Sequence, residues 1–106
     1  MALETTLAQV NPAATTLTDA YTVPAGKRAA AYVIVANRTS TAATYRISLA
    51  IAGAADSNEQ YVVYDSSVST IPQATRRLAL AAGDVVRVYA SAANLSFSVN
   101  GIEQDV

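Results

Sequence analysis

The sequence of 106 residues contains no histidine, no cysteine and no tryptophan. Without histidine the chain cannot assemble a Ser-His-Asp triad, a histidine metal site or the usual general base with a pKa near neutrality. Without cysteine it has no thiol nucleophile, no disulfide and no thiolate metal ligand. These absences predict a protein that is not an enzyme and that needs no cofactor.

Charged residues are also scarce, at 14% of the chain, with seven basic against eight acidic side chains. The only adjacent basic pairs are Lys27-Arg28 and Arg76-Arg77, so no basic stripe is present to neutralise nucleic-acid phosphates. No apolar run approaches the roughly 20 residues that a membrane-spanning helix needs. The segment 1–4 lacks the basic and apolar regions of a signal peptide, which predicts synthesis in the cytoplasm. We therefore expect neither nucleic acid nor membrane as a partner.

Apolar and polar side chains alternate along much of the chain, as they do in half-buried β-strands. Segment 44–51 is the clearest case, because Tyr45, Ile47 and Leu49 share one face while Arg46 lies on the other. Further strands are predicted at 3–10, 17–23, 30–36, 59–65, 74–80, 86–90 and 95–99. Turn residues separate these runs at intervals of roughly ten residues. The pattern predicts an all-β, antiparallel β-sandwich of about seven or eight strands, with the jelly roll as one arrangement.

The first 14 residues precede the better-marked strands and form the boundary of the predicted domain. We expect one sandwich domain over 15–106, and an N-terminal arm or edge strand over 1–14. Leu3, Leu7 and Val10 follow one another at spacings of four and three residues. They are interface candidates, because such an arm could order on a partner or on a neighbouring subunit. A disordered tail or a plain edge strand is the competing interpretation.

The six tyrosines are the side chains best suited to an interface, since a tyrosine combines a large apolar ring with a polar tip. Tyr45 is in phase with core residues and is predicted to be buried. Strict alternation places Tyr61 and Tyr64 on opposite faces of their strand, so one of them must point away from the core. The remaining interface candidates are Tyr32, Tyr61, Arg87 and Tyr89, of which the last two share a face.

Carboxylates are the only chemistry-bearing groups that remain. Paired carboxylates cleave glycosides when they flank a cleft, but Asp56 and Glu59 lie in a polar loop that is more simply solvated. The same loop offers oxygen ligands for calcium, yet it lacks the glycine and the final glutamate of an EF-hand. Asp65 and Asp84 are expected to make ordinary loop and turn contacts. No catalytic, cofactor-binding or metal-binding residue is predicted.

Several stretches of turn and strand residues together carry a resemblance to a known group of proteins. They are AATTLTDAYTVPAGK at 13–27, VANR at 35–38, QYVVYD at 60–65, LAAGDVVRVYA at 80–90 and NLSFSVNGIE at 94–103. Over roughly residues 9 to 103, the chain resembles a group of small tailed-phage virion proteins. The resemblance implies a β-sandwich attached to a virion, either as a capsid decoration (cement) protein or within tail or fibre structures. The alanine-rich stretch 29–31 exceeds what the group leads us to expect, and it predicts close approach of a neighbour.

The leading expectation is a non-enzymatic decoration protein on the outer capsid surface, made in the host cytoplasm. Its partners would be the major capsid protein and copies of itself, as a homotrimer or, second, a dimer. The alternative is a tail, baseplate or fibre-associated domain whose exposed tyrosines bind host-surface glycans. A third interpretation is an unrelated soluble β-sandwich adaptor. The first two differ in what they bind: a decoration protein should bind capsids and not glycans, whereas the tail-associated domain should bind glycans.

Overall fold

The computed structural model describes residues 4–106, so the interface candidate Leu3 lies outside the described residues. Nine strands follow one another, with a short 3-10 turn at Ile51–Gly53 and another at Asn58–Gln60. The strands are β1 (Thr5–Val10), β2 (Thr18–Thr22), β3 (Lys27–Asn37), β4 (Ala43–Ala50), β5 (Tyr61–Val68), β6 (Gln73–Ala74), β7 (Leu78–Leu80), β8 (Val85–Ala90) and β9 (Leu95–Asp105).

The strands form two antiparallel sheets that pack against each other. Sheet 1 has the order β1-β9-β3, and the short strands β6 and β7 share the free side of β3. Sheet 2 has the order β2-β8-β4-β5. This confirms the predicted antiparallel β-sandwich. The nine strands occupy eight positions in the order of a jelly roll, and every connection except β4–β5 and β6–β7 crosses from one sheet to the other.

The core lies between the sheets and consists of alternate side chains of the central strands. Phe97 of β9 and Ile47 of β4 are its largest fully buried members. Tyr45 is only 4% exposed and meets Phe97 edge-on, with ring centroids 6.1 Å apart, which confirms its predicted place in the core. Burial of each such side chain contributes about 1.5–3 kcal/mol. The remaining buried positions are mostly valine and alanine, so the two sheets pack with little bulk between them.

Two tyrosine hydroxyls connect the sheets. Tyr45 of sheet 2 donates to Oε1 of Gln73 in β6 at 2.7 Å. Tyr21 of β2 donates to a carboxylate oxygen of Glu103 in β9. Burial raises the pKa of Tyr21, and the hydrogen bond and negative charge of Glu103 raise it further, so this hydroxyl stays protonated. A buried tyrosine oxygen needs such a partner, because an unpaired buried polar group costs about 1–3 kcal/mol.

Several observed strands differ from those predicted: β3 begins at Lys27 and β9 continues to Asp105, and two others differ in ways that move a residue. The segment 74–80 is not one strand, because the side chain of Thr75 takes over the pairing with β3 between β6 and β7. Its Oγ1 accepts a hydrogen bond from the Val33 amide at 3.0 Å, while its own amide donates to the Val33 carbonyl at 2.9 Å. The strand predicted to end at Asp65 continues to Val68, so Asp65 lies inside β5 and not in a loop.

Gly101 marks the closest approach between two strands of sheet 1. A Cβ atom at this position would lie 2.1 Å from the carbonyl oxygen of Ala30 and 2.7 Å from the Cα of Ala31. Both contacts are to backbone, so no side-chain rotation could relieve them. The close neighbour of the alanine-rich stretch 29–31 is therefore the chain's own strand β9.

We predict that Gly101→Ala lowers the free energy of unfolding by about 3 kcal/mol, because β3 and β9 must separate to admit the methyl group. Thermal unfolding followed by circular dichroism should show a melting temperature lower by more than about 10 °C. Gly26→Ala is the matched control. It places a methyl group in open space at a φ of 76°, and should cost only about 1–2 kcal/mol. Equal stabilities of wild type and Gly101→Ala would contradict this account of the close approach.

Candidate functional site

The outer face of sheet 2 carries a group of packed polar and aromatic side chains, which we call the tyrosine–arginine cluster: Arg46, Tyr61, Tyr64, Asp65 and Tyr89. The guanidinium carbon of Arg46 lies 4.3 Å from the ring centroid of Tyr64 and 4.6 Å from that of Tyr89. Arg46 also donates from Nε to Asp65 Oδ1 at 2.6 Å and from Nη2 to Asp65 Oδ2 at 3.3 Å. The Tyr61 and Tyr64 rings meet edge-on, 5.1 Å apart.

β5 contains two extra residues, and the one between Tyr61 and Val63 brings Tyr61 and Tyr64 to the same face, contrary to the prediction from strict alternation. Opposite the two-residue step from Tyr45 to Ile47, β5 advances by three residues, from Ser66 to Val63. Opposite the next single step, to Ser48, it advances by two residues, to Tyr61. Each such β-bulge exchanges the two faces for the residues beyond it. The backbone of Asp65 has a φ of 54°, a left-handed conformation that aspartate tolerates at a bulge.

Arg46 sets the electrostatics of the cluster. Its hydrogen bonds and positive charge hold the pKa of the Asp65 carboxyl below its ordinary value. The same carboxylate, together with the neighbouring tyrosines, raises the pKa of Arg46 further above its usual value. Both groups are therefore charged at neutral pH, and the positive charge also faces the two rings in cation–π geometry. The arrangement stiffens the exposed ring of Tyr64 from one side.

A shallow depression with a volume of about 460 Å³ adjoins the cluster and is lined by Asn58, Tyr61 and Tyr64. The Tyr61 hydroxyl donates to Asp56 Oδ2 at 3.0 Å, which connects the ring to the preceding loop. Tyr64 is 58% exposed, a high value for a side chain in such close contacts. The depression thus presents a fixed aromatic surface beside polar loop side chains.

Arg87, an interface candidate, is a structural residue of sheet 2, with only 14% of its side chain exposed. Its Nε donates to Asp19 Oδ1 at 3.0 Å, and its Nη1 donates to the Ala54 carbonyl at 2.8 Å. The side chain thereby holds the loop after β4 against the sheet. Asp84 anchors the same loop, because its Oδ1 accepts from the Ala52 amide at 3.0 Å. Tyr89 shares the outer face with Arg87, as predicted, but contacts Arg46.

The outer face of sheet 1 differs in character, and we call it the small-residue face. It consists of side chains that pair across β3, β9 and their neighbours: Ala30, Tyr32, Ile34, Ala36, Ala74, Ala79, Ser96, Ser98, Asn100 and Ile102. Tyr32, an interface candidate, lies half-buried in the middle of it, opposite Asn100. No charged residue occurs in 29–37 or 95–102. Charged side chains border this face at two places: Arg28 and Arg77 line a depression with Ile102, and Glu4 lines another with Tyr32 and Asn100.

Leu7 and Val10, the candidates from the predicted arm that the structure describes, lie on β1, an edge strand of sheet 1. Leu7 is an extra residue between the pairs Thr6–Asn100 and Ala8–Val99, and it packs half-buried against the core. Val10 also packs against the core, opposite Phe97. Much of the apolar surface of both side chains is therefore already covered by this chain.

Both carboxylates of the loop considered for calcium accept a hydrogen bond from a neighbouring side chain. Asp56 accepts the Tyr61 hydroxyl, and Glu59 accepts the hydroxyl of Ser57. Within residues 4–106, no three acidic side chains come close enough together to hold a metal ion. That same part of the chain contains no helix of the length and apolar character needed to cross a membrane.

Comparison with family models, with curated proteins and with solved structures found no match. The geometry of the two outer faces is therefore the main guide to function. Arg46 and Asp65 are the cluster members that the sequence did not suggest for an interface, whereas alternation left Tyr64 open as the outward-facing alternative to Tyr61. The cross-strand pairing of Arg46 with Tyr89 follows from alternation once β4 and β8 are known to be neighbours. Nothing in the sequence signals the bulge at Asp65.

We predict that Asp65→Asn lowers stability at neutral pH and that its effect disappears in acid. The pKa of Asp65 is lower in the folded protein than in the unfolded chain. Its contribution is therefore complete above the unfolded value of about 3.9 and is lost as the pH falls through the lower folded value. Melting temperatures measured across this range should converge for wild type and Asp65→Asn.

Asparagine also tolerates the left-handed backbone, so this variant removes the charge with little change to the bulge. Because the pair is partly exposed, added salt should reduce the difference as well. A constant difference at every pH would mean that packing, and not the charge of Asp65, stabilises the cluster.

Proposed function

We propose that this protein is a non-enzymatic structural component of a tailed-phage particle, a decoration protein that binds the outer capsid lattice. The observation that carries the proposal is the small-residue face. Small, uncharged side chains can approach a partner closely, and they bring no charge that must lose its hydration on contact. Tyr32 at the centre of this face is the kind of residue that commonly dominates binding energy.

The rigidity of the sandwich supports the same proposal. A decoration protein stabilises a shell by bridging subunits, which requires a body that does not deform when the shell is under load. The two sheets are joined by hydrogen bonds from two tyrosine hydroxyls, those of Tyr21 and Tyr45. The jelly-roll order occurs in viral capsid and lectin domains, among others, and the resemblance to small virion proteins points in the same direction.

We further propose that the protein acts as an oligomer, a homotrimer in the first instance and a dimer otherwise. Several copies held together would engage several lattice positions at once, so modest contacts would add up to firm attachment. Its location would then be the outer surface of the capsid. A tail, baseplate or fibre location remains the alternative, and it would make other tail proteins the partners.

We predict that Tyr32→Arg weakens co-sedimentation with capsids by at least about tenfold, because it replaces an aromatic ring at the centre of the contact with a long charged side chain. Ser67→Arg adds the same charge at an exposed position of β5 in sheet 2 and serves as the control. Both variants should keep the wild-type circular dichroism spectrum.

Electron microscopy of particles that carry a labelled copy tests the location independently. Label over the shell is the expected result, whereas label confined to the tail would replace capsid decoration with the alternative. Equal capsid binding by wild type and Tyr32→Arg would show that the small-residue face is not the contact.

A further inference from the structure

We propose that the depression formed by Asn58, Tyr61 and Tyr64 is a binding site for a pyranose sugar. This site lies on sheet 2, and it does not rest on attachment of the small-residue face to a capsid. Failure of either proposal would leave the other standing, because each has its own variant and its own measurement.

The aromatic part of the site is fixed before any ligand arrives. Arg46 lies over the Tyr64 ring, and the Tyr61 ring meets it edge-on at an interplanar angle of 88°. Tyr61 is held in turn by its hydrogen bond to Asp56. Because these rings are already ordered, binding loses little side-chain entropy. The exposed surface of Tyr64 is thus a platform on which the apolar C–H face of a sugar can stack.

The polar part of the site suits the rim of hydroxyl groups around such a sugar. Asn58 is exposed, and its side-chain amide makes no hydrogen bond within residues 4–106, so it can both donate and accept. Asp56 accepts the Tyr61 hydroxyl through Oδ2, and its carboxylate has further acceptor positions. Small-ligand sites combine apolar surface with a few placed polar groups, in volumes of about 300–1,000 Å³. The depression, at about 460 Å³, lies within this range.

Two other occupants fit the geometry less well. A proline-rich peptide needs an elongated groove between aromatic residues, whereas here three residues surround one depression. A second copy of the chain would need about 800 Å² of surface from each partner. On β5, the large apolar side chains that are exposed are Tyr64 and Val62, the latter at 46% exposure. This is too little apolar surface for such a dimer. The size and shape of the site therefore favour a single sugar ring over either.

The test is a titration of the folded, isotope-labelled protein with glucose, galactose, N-acetylglucosamine and rhamnose, followed by amide chemical shifts. We expect at least one sugar to cause saturable shifts confined to residues 56–64 and the cluster, with a Kd on the order of 1 mM for so open a site. Tyr64→Ala should weaken binding at least tenfold, or about 1.4 kcal/mol. Tyr64→Phe keeps the ring and should bind as the wild type does.

Tyr32→Ala removes a tyrosine from the opposite sheet and is the matched control, which should leave sugar binding unchanged. The proposal is overturned if none of the four sugars shifts these residues, or if Tyr64→Ala binds as tightly as the wild type. Shifts at the same residues caused by a proline-rich peptide, with none from the sugars, would identify the site as a peptide-binding one instead. The amide spectrum of each variant also reports whether it is folded.

Discussion

Packing of alternate side chains of β3 and β9 against those of β4 and β8 is the constraint on which the rest of the structure depends. These four strands are the central strands of their sheets, and their inward valines, with Ile47 and Phe97, exclude water from the space between. Because the chain has few large apolar residues, the sheets must pack closely to bury enough surface. Gly101 adds a separate constraint within sheet 1, since any larger residue would force β3 away from β9.

The two outer faces of the sandwich differ in the side chains that they present. Over 29–37 of β3 and 95–102 of β9 the outward positions are uncharged and mostly small, and regular pairing carries this pattern across sheet 1. On sheet 2 the outward positions include charges, which pair across strands as Arg46 with Asp65 and as Arg87 with Asp19. A bulge in β5 then places Tyr61 on that face together with Tyr64. One side of the sandwich is therefore suited to close contact, and the other carries a rigid aromatic and polar surface.

The two proposed surfaces lie on opposite sides of one rigid body, so contact at one does not obstruct the other. A protein attached through the small-residue face would present the tyrosine–arginine cluster outward. Several copies on a lattice would repeat the sugar site, and repetition converts weak single contacts into firm attachment. Arg87 and Asp84 contribute indirectly, because they hold the loop that follows β4 and so limit the movement of the chain leading to Asn58.

The sequence by itself determined the fold class and much of the core, because alternation reports directly which side chains turn inward. It placed Tyr45 in the core, Tyr89 and Arg87 on one face, and most strands within a few residues of their bounds. It did not determine the tyrosine–arginine cluster. A single extra residue in a strand reverses every face beyond it, and whether a bulge forms depends on what the neighbouring strand requires. Only the pairing of β5 with β4 decided that Tyr61 and Tyr64 would meet, and only the packing around β1 decided that Leu7 and Val10 would turn toward the core.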